Sequence, residues 1–360
     1  MNNSKSDINK FSNQITESVY APELPSIADI PLKFIDLDQL DEIDLSRNHI
    51  VPAIFHTINE TLANSENLIS FLNSNIKSKK WFIASDYALG NPEKKSEFIT
   101  FTLIPQNFPI NSLMSGINKL QYSDIKKTKF INPAFLKFIN SGLFFHISIQ
   151  LPKEKDNLIP NIRHHFQILL KSLGMSSNSE IIKSQVKFFQ EKLFRANKNE
   201  LLLIIEIISC VISSINLQLF KSIPDLQDIC WFSDRDNILT TLGQKSKEKL
   251  SPMIFHIVDI RSKYLFQAVK LPFSKNYKVQ LSFGKPEFHG KMWYDPLIRI
   301  PDYIAGTLAD NDQKNMTVTK EKFSAVIREA ISDSKYHFIF KLSLQQNTAT
   351  AIETQYKKVE

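Results

Sequence analysis

The sequence predicts an α/β domain, and three observations carry that reading. Short runs rich in aromatic and β-branched residues recur at 81–85 (WFIAS), 97–105 (EFITFTLIP), 143–150 (LFFHISIQ) and 229–234 (ICWFSD); such residues suit a pleated, half-buried surface. Between these runs lie stretches with helical spacing, as in Ile182, Val186, Phe189 and Leu193. Strands interleaved with helices favour a sheet covered by helices over a bundle. With 42% hydrophobic residues, 27 of them Phe, the 360-residue chain has material for a substantial core.

Taken in order, residues 1–78 read as an acidic, partly helical extension. The stretch 22–46 carries repeated prolines and scattered acids, whereas 51–74 has enough apolar recurrence for one or two helices. The domain then runs over 79–345. Gly90, Asn91 and Pro92 supply turn chemistry between its first two strands. A short helix near 110–120 and a Lys-rich loop at 123–129 precede the third strand. Helices dominate an insertion across 157–222, and ICWFSD returns to strand. MIFHIVD (253–259), NYKVQLSF (276–283) and YHFIFKLSL (336–344) read as later strands, with helices opening at Pro301 and spanning 319–333. Residues 346–360 remain as a C-terminal tail.

Residues 201–220 hold a single charge, Glu206, and match the length of a membrane span. Glu206, Asn216 and Gln218 would be costly in lipid, so a buried core helix is the expectation and a membrane association is not. The amino terminus lacks the apolar segment of a secretory signal, which points to the cytoplasm. Cys210 and Cys230 lie in apolar stretches without zinc-knuckle spacing and read as core.

Eight glycines with neither GxGxxG nor GxxxxGK[ST] argue against a glycine-rich phosphate loop. No G-x-S-x-G accompanies a His and an acid, which disfavours serine hydrolysis. The formal charge of +7 is uneven. Residues 1–50 hold nine acids and four bases, a net of −5, leaving +12 on the rest. A basic body suits a nucleic-acid partner, and the acidic extension suits a protein partner.

The chemistry rests on three aspartates. Asp86 and Asp234 each end a hydrophobic run, where open α/β sheets place their ligands. Pro301 fits a first helical position, which sets Asp302 in a first turn. Converging carboxylates repel unless cations neutralise them. The expected cofactor is therefore Mg²⁺ or Mn²⁺, which prefer oxygen ligands, on Asp86, Asp234 and Asp302 with Asp236 as substitute or supplement. Each aspartate alone reads equally as a turn former or cap.

Among the eight histidines, His289 is the functional candidate, placed to transfer a proton or contact phosphate. His164 and His165 read as surface residues, His146 and His256 as interior ones. Lys285, Lys291 and Arg299 flank the loop carrying His289 and Trp293, a basic and aromatic mixture suited to phosphate and bases; packing is the alternative for Trp293. Arg235 suits phosphate or a nearby acid.

At these residues the chain resembles the DUF3800 family, whose fold is ribonuclease H-like. WFIASDYALG is similar to that family's opening strand with its acidic residue, placing Asp86 there. EFITFTLIP is similar to its second strand. ICWFSDRDN places Asp234, with Asp236 adjacent, and LIRIPDYIAG resembles its closing A-D-x-x-A-G signature and carries Asp302. Tyr87 stands where the family usually has Glu, and Pro301 where it commonly has Ala. The resemblance implies a ribonuclease H-like mixed sheet with a helical insertion and a divalent-metal nuclease. Some members occur in phage-defence contexts. A noncatalytic nucleic-acid-binding or assembly module on the same fold is the alternative.

Overall fold

Alternation along the strands divides the core in two. The computed structural model describes residues 53–153, 162–164, 166–168, 170–171, 180–195, 199–235, 239, 252–270, 279–284, 292–315, 317–345 and 348–357. Its strands are β1 (Lys80–Ala88), β2 (Phe98–Pro105), β3 (Phe145–Gln150), β4 (Asp228–Ser233), β5 (Gln280–Phe283), β6 (His337–Gln345) and β7 (Thr348–Glu353). They form one mixed sheet in the order β5-β4-β1-β2-β3-β6-β7. β2 runs antiparallel to β1 and β3, β4 lies parallel to β1 and β5, and β6 parallel to β3. β7 closes a hairpin with β6. The α/β expectation is met.

Period-two alternation sends Trp81, Ile83, Phe101, Ile147 and Trp231 to one face and Phe82, Ala84, Ile104, Cys230 and Phe232 to the other, each face with its own hydrophobic cluster. Helices α1 (Ala53–Ala63), α2 (Glu66–Ser74), α5 (Glu180–Arg195), α6 (Asn199–Ser222) and α7 (Met253–Lys270) contribute to the first cluster. Helices α3 (Ile110–Leu120), α4 (Pro133–Ile139), α8 (Asp295–Asp310) and α9 (Glu321–Val326) build the second, α9 continuing into a π turn at Ile327–Ile331. Strands buried on both faces read as continuous apolar runs, which is why they were conspicuous in the sequence.

Three expectations need correction. The run MIFHIVD opens helix α7 and is not a strand; residues 253–258 are all buried, so the solvent-facing positions that reveal a helical period are missing there. The helix carrying Asp302 opens at Asp295 with Pro296 in its first turn, and Pro301 lies inside it. Within the acidic extension, Ile54, Phe55, Ile58 and Leu62 are buried in the first cluster, so α1 belongs to the packed body, and β7 occupies part of the expected tail.

Helix α6 is the one described helix long and apolar enough to cross a membrane, and it lies buried in the protein. Glu206 and Asn216 face α7. The Glu206 carboxylate accepts twice from Arg261 Nη2, at 3.0 and 3.1 Å, and Asn216 Nδ2 donates to Ser262 Oγ at 3.0 Å. Cys210 and Cys230 are buried free thiols, as expected, and burial raises the pKa of both.

Candidate active site

Strands β1 and β4 bring the first two aspartates together. Ser85 stands opposite Ser233 in their parallel register, and the Asp234 N–H donates to Ser85 O at 3.0 Å, extending the ladder past β4. Asp86 and Asp234 are the next pair in that register, on strands about 4.8 Å apart. By parity both belong to the face of Phe82, Ala84, Cys230 and Phe232, the face that α8 covers. Asp86 lies within its strand, opposite Thr100 of β2, rather than beyond it.

Tyr87 points to the other face. Its hydroxyl is 2.9 Å from Ser85 Oγ and 2.6 Å from Ser233 Oγ, while Trp231 Nε1 donates to Ser85 Oγ at 2.9 Å. The Tyr87 hydroxyl therefore ties β1 to β4 beneath the aspartate pair.

Asp302 sits mid-helix in α8, where its Oδ2 accepts the Ile125 N–H at 2.8 Å. Its carboxyl is pushed up to about 7 by burial first, then by the charges of Asp124 and Asp234, against the Ile125 hydrogen bond and Lys126. The helix-start role belongs instead to Asp295, whose Oδ2 accepts the Met292 N–H at 3.0 Å. Burial also raises Asp295, with Asp124 and Asp234 adding, while the Met292 bond and Arg235 oppose. Asp234 thus acts electrostatically on both α8 carboxyls.

Sequence reasoning missed Asp295 and Asp124. Asp295 had a signal: an acid directly before Pro296 marks a helix start, and seven residues before Asp302 is the same helix face. Asp124 had none, because its place depends on a loop folding over α8.

That loop decides the role of Arg299. The guanidinium is buried, and Nη1 donates to Gln121 O at 2.7 Å and Asn118 Oδ1 at 2.9 Å. Arg299 fastens the chain after α3 to α8, and burial lowers its pKa. Trp293 packs its ring at 5.1 Å against Phe232, the bland alternative for this residue. Arg235 is half-buried beside Asp234. Asp236, Lys285, His289 and Lys291 lie outside the described residues. His146 and His256 are buried and His164 is exposed; His165 also lies outside.

Among the described residues, no group of three or more His, Cys, Asp or Glu side chains is placed to hold a metal ion. The arrangement is an Asp86–Asp234 pair set by strand register, with Asp302 and Asp295 on the covering helix within Asp234's field. No family model, curated protein or solved structure matches the chain, which leaves its own residues as the ground for a functional reading.

Proposed function

We propose that this chain is a ribonuclease H-like, divalent-metal-dependent nuclease that hydrolyses phosphodiester bonds in nucleic acid and acts in the cytoplasm. The observation that carries the reading is the pairing of Asp86 and Asp234 at one level of neighbouring parallel strands, under a helix bearing Asp302. Strand order supports it: β5-β4-β1-β2-β3, with β2 antiparallel to both neighbours and β4 and β5 parallel to β1, is the order expected of a ribonuclease H-like sheet. In that comparison β6 and β7 are an addition, and the DUF3800 resemblance of Asp86, Asp234 and Asp302 falls on β1, the end of β4 and the helix after β5.

The donor set fits a hard cation in kind, since it consists of carboxylate oxygens. Asp86 and Asp234 are the residues that would hold Mg²⁺ or Mn²⁺, with Asp302 and Asp236 as further candidates. Such an ion lowers the pKa of an attacking water and stabilises charge on the departing oxygen. The protein's own contribution is placement: strand register fixes the pair, the Tyr87–Ser233 contact locks the two strands together, and the Ile125 N–H orients Asp302.

The second reading, a noncatalytic nucleic-acid-binding module, is favoured by the lack of a three-ligand group among the described residues. Cleavage of labelled single-stranded RNA, single-stranded DNA, duplex DNA and an RNA–DNA hybrid in Mg²⁺, Mn²⁺ or EDTA separates the two. The nuclease reading expects metal-dependent cutting with 5′-phosphate products, lost in Asp86→Ala and Asp234→Ala proteins that melt like wild type. Binding without turnover on every substrate would move the assignment to the noncatalytic module.

A further inference from the structure

The loop over Asp302 is built as a strap. Ile125 is buried in the second cluster against Gly306, where a Cβ would meet Ile125 Cγ2 at 3.0 Å, so glycine permits the close approach. Thr128 Oγ1 lies 2.8 Å from Tyr303 Oη, and Tyr303 Oη donates to Ser123 O at 2.8 Å. Lys322 Nζ donates to the carbonyls of Ile125 at 2.5 Å and Thr128 at 2.8 Å. With the Ile125 bond to Asp302 and the Arg299 bond to Gln121, these contacts fix the backbone from 121 to 128.

What the strap leaves in solvent is a different chemistry. Tyr122 and Phe130 are 64% and 88% exposed, the two most exposed large hydrophobic residues described. Lys126, Lys127 and Lys129 between them are exposed too. The two rings stand at the ends of the anchored segment, the Arg299 guanidinium lies over the Tyr122 ring at 6.0 Å, and most of each side chain still meets water. Three lysines against the single Asp124 give the segment a net positive charge, and Asp124 lies 3.7 Å from Lys127 and 3.9 Å from Arg299.

We propose that the strap from Tyr122 to Phe130 grips single-stranded nucleic acid, with Lys126, Lys127 and Lys129 on backbone phosphates and Tyr122 and Phe130 stacked on unpaired bases. The proposal rests on the nuclease reading for its substrate class and adds the strand state. A duplex satisfies the lysines but hides its base faces, whereas a single strand offers both phosphate and ring. Because the Ile125 N–H binds Asp302 directly, a strand held on the outer side of the strap is one loop's thickness from that carboxyl. The fixed backbone spares the ordering cost that a free loop would carry on binding.

The test measures binding of labelled 20-mers of dT and of rU, and of a 20-bp duplex, to the full chain in EDTA, by fluorescence anisotropy across a salt series. Single strands of either sugar should bind more tightly than the duplex. Tyr122→Ala/Phe130→Ala should weaken single-strand binding at least roughly five-fold, the low end of stacking on one ring, and by more than about a hundred-fold where both rings stack fully. Lys126→Gln/Lys127→Gln/Lys129→Gln should lower the slope of log K against log salt by about 2. Melting temperatures of both variants should stay near wild type, since all five residues are exposed, with Tyr122 giving up its contact with Arg299.

Wild-type affinity in both variants would overturn the proposal, as would a duplex bound as tightly as the single strands. A wild type that binds no oligonucleotide would also overturn it and hand the exposed rings to a protein partner. Cutting at subsaturating substrate that is unchanged in the ring variant sinks the strap and leaves the nuclease reading intact. Strap-dependent binding with no cutting in any metal does the reverse.

Discussion

Asp302 carries the sharpest consequence at the scale of one residue. Its folded pKa of about 7 lies above the ordinary carboxylate value of 3.8, with burial the first cause. Between those values the folded chain holds a proton that the unfolded chain has released. Stability from this group is therefore full below pH 4, falls as pH rises, and is lost above pH 7. About three units correspond to at most about 4 kcal/mol. Asn in its place keeps an oxygen acceptor for the Ile125 N–H and removes the charge. Asp302→Asn should therefore stabilise the protein at pH 8 and be near neutral at pH 4.5, read from urea midpoints at the two pH values. An equal effect at both would mean the carboxylate ionises without cost. If the proposed nuclease reading holds, the same variant should lose metal-dependent cutting. Asp86 and Asp234 were legible because each follows an apolar run unmistakable as a buried strand. Asp124 was not: the contact that brings its neighbour Ile125 to Asp302 spans 177 residues of sequence.

At the scale of elements, α6 and α7 meet across a polar seam that sequence periodicity half concealed. Glu206, Ser209, Ser213 and Asn216 recur at helical spacing on α6, and Glu206 and Asn216 were visible as residues a membrane would reject. Their partner helix was misread, because a short, mostly apolar run does not distinguish strand from helix. The later residues Ile260, Leu265 and Phe266, which pack on the same cluster, were the signal that the pattern continues as a helix. Glu206 is wholly buried and Arg261 is 9% exposed, so the pair is desolvated and its two members stand or fall together. Arg261→Met leaves Glu206 with an uncompensated charge and should cost about 3–5 kcal/mol, whereas Glu206→Met/Arg261→Met should recover most of that loss. Denaturant unfolding of both singles and the double closes the cycle. Additive losses would show that the two residues act independently and that the seam holds no coupled pair.

For the molecule as a whole, charge and packing divide the amino-terminal region at different places. Charge divides it near residue 50, with −5 before and +12 after. Packing places α1 inside the body, since its Ile54, Phe55, Ile58 and Leu62 are buried against the first cluster. Thr57 Oγ1 donates to Ala349 O on β7 at 2.8 Å, and Gln218 Nε2 on α6 donates to Asn59 Oδ1 at 3.0 Å, so α1 joins the apolar helix to the sheet's last strand. Two truncations should consequently behave in opposite ways. Removing residues 1–50 takes away the acidic excess and leaves α1 in place. The protein should melt as before and bind single-stranded oligonucleotide more tightly in low salt, with the gain fading toward 1 M, where screening reaches about 3 Å. Removing residues 1–78 uncovers α6, a helix apolar enough to pass for a membrane span, and should give an aggregating product with no cooperative melt. Affinity unchanged by the shorter deletion would show that the acidic residues do not oppose the basic surface. A cooperative melt after the longer one would show that α1 and α2 decorate the fold instead of completing it. Anisotropy titrations and thermal scans on the two truncated chains decide both points, and they do so without reference to catalysis, so the architecture can be judged whether or not the aspartates cut.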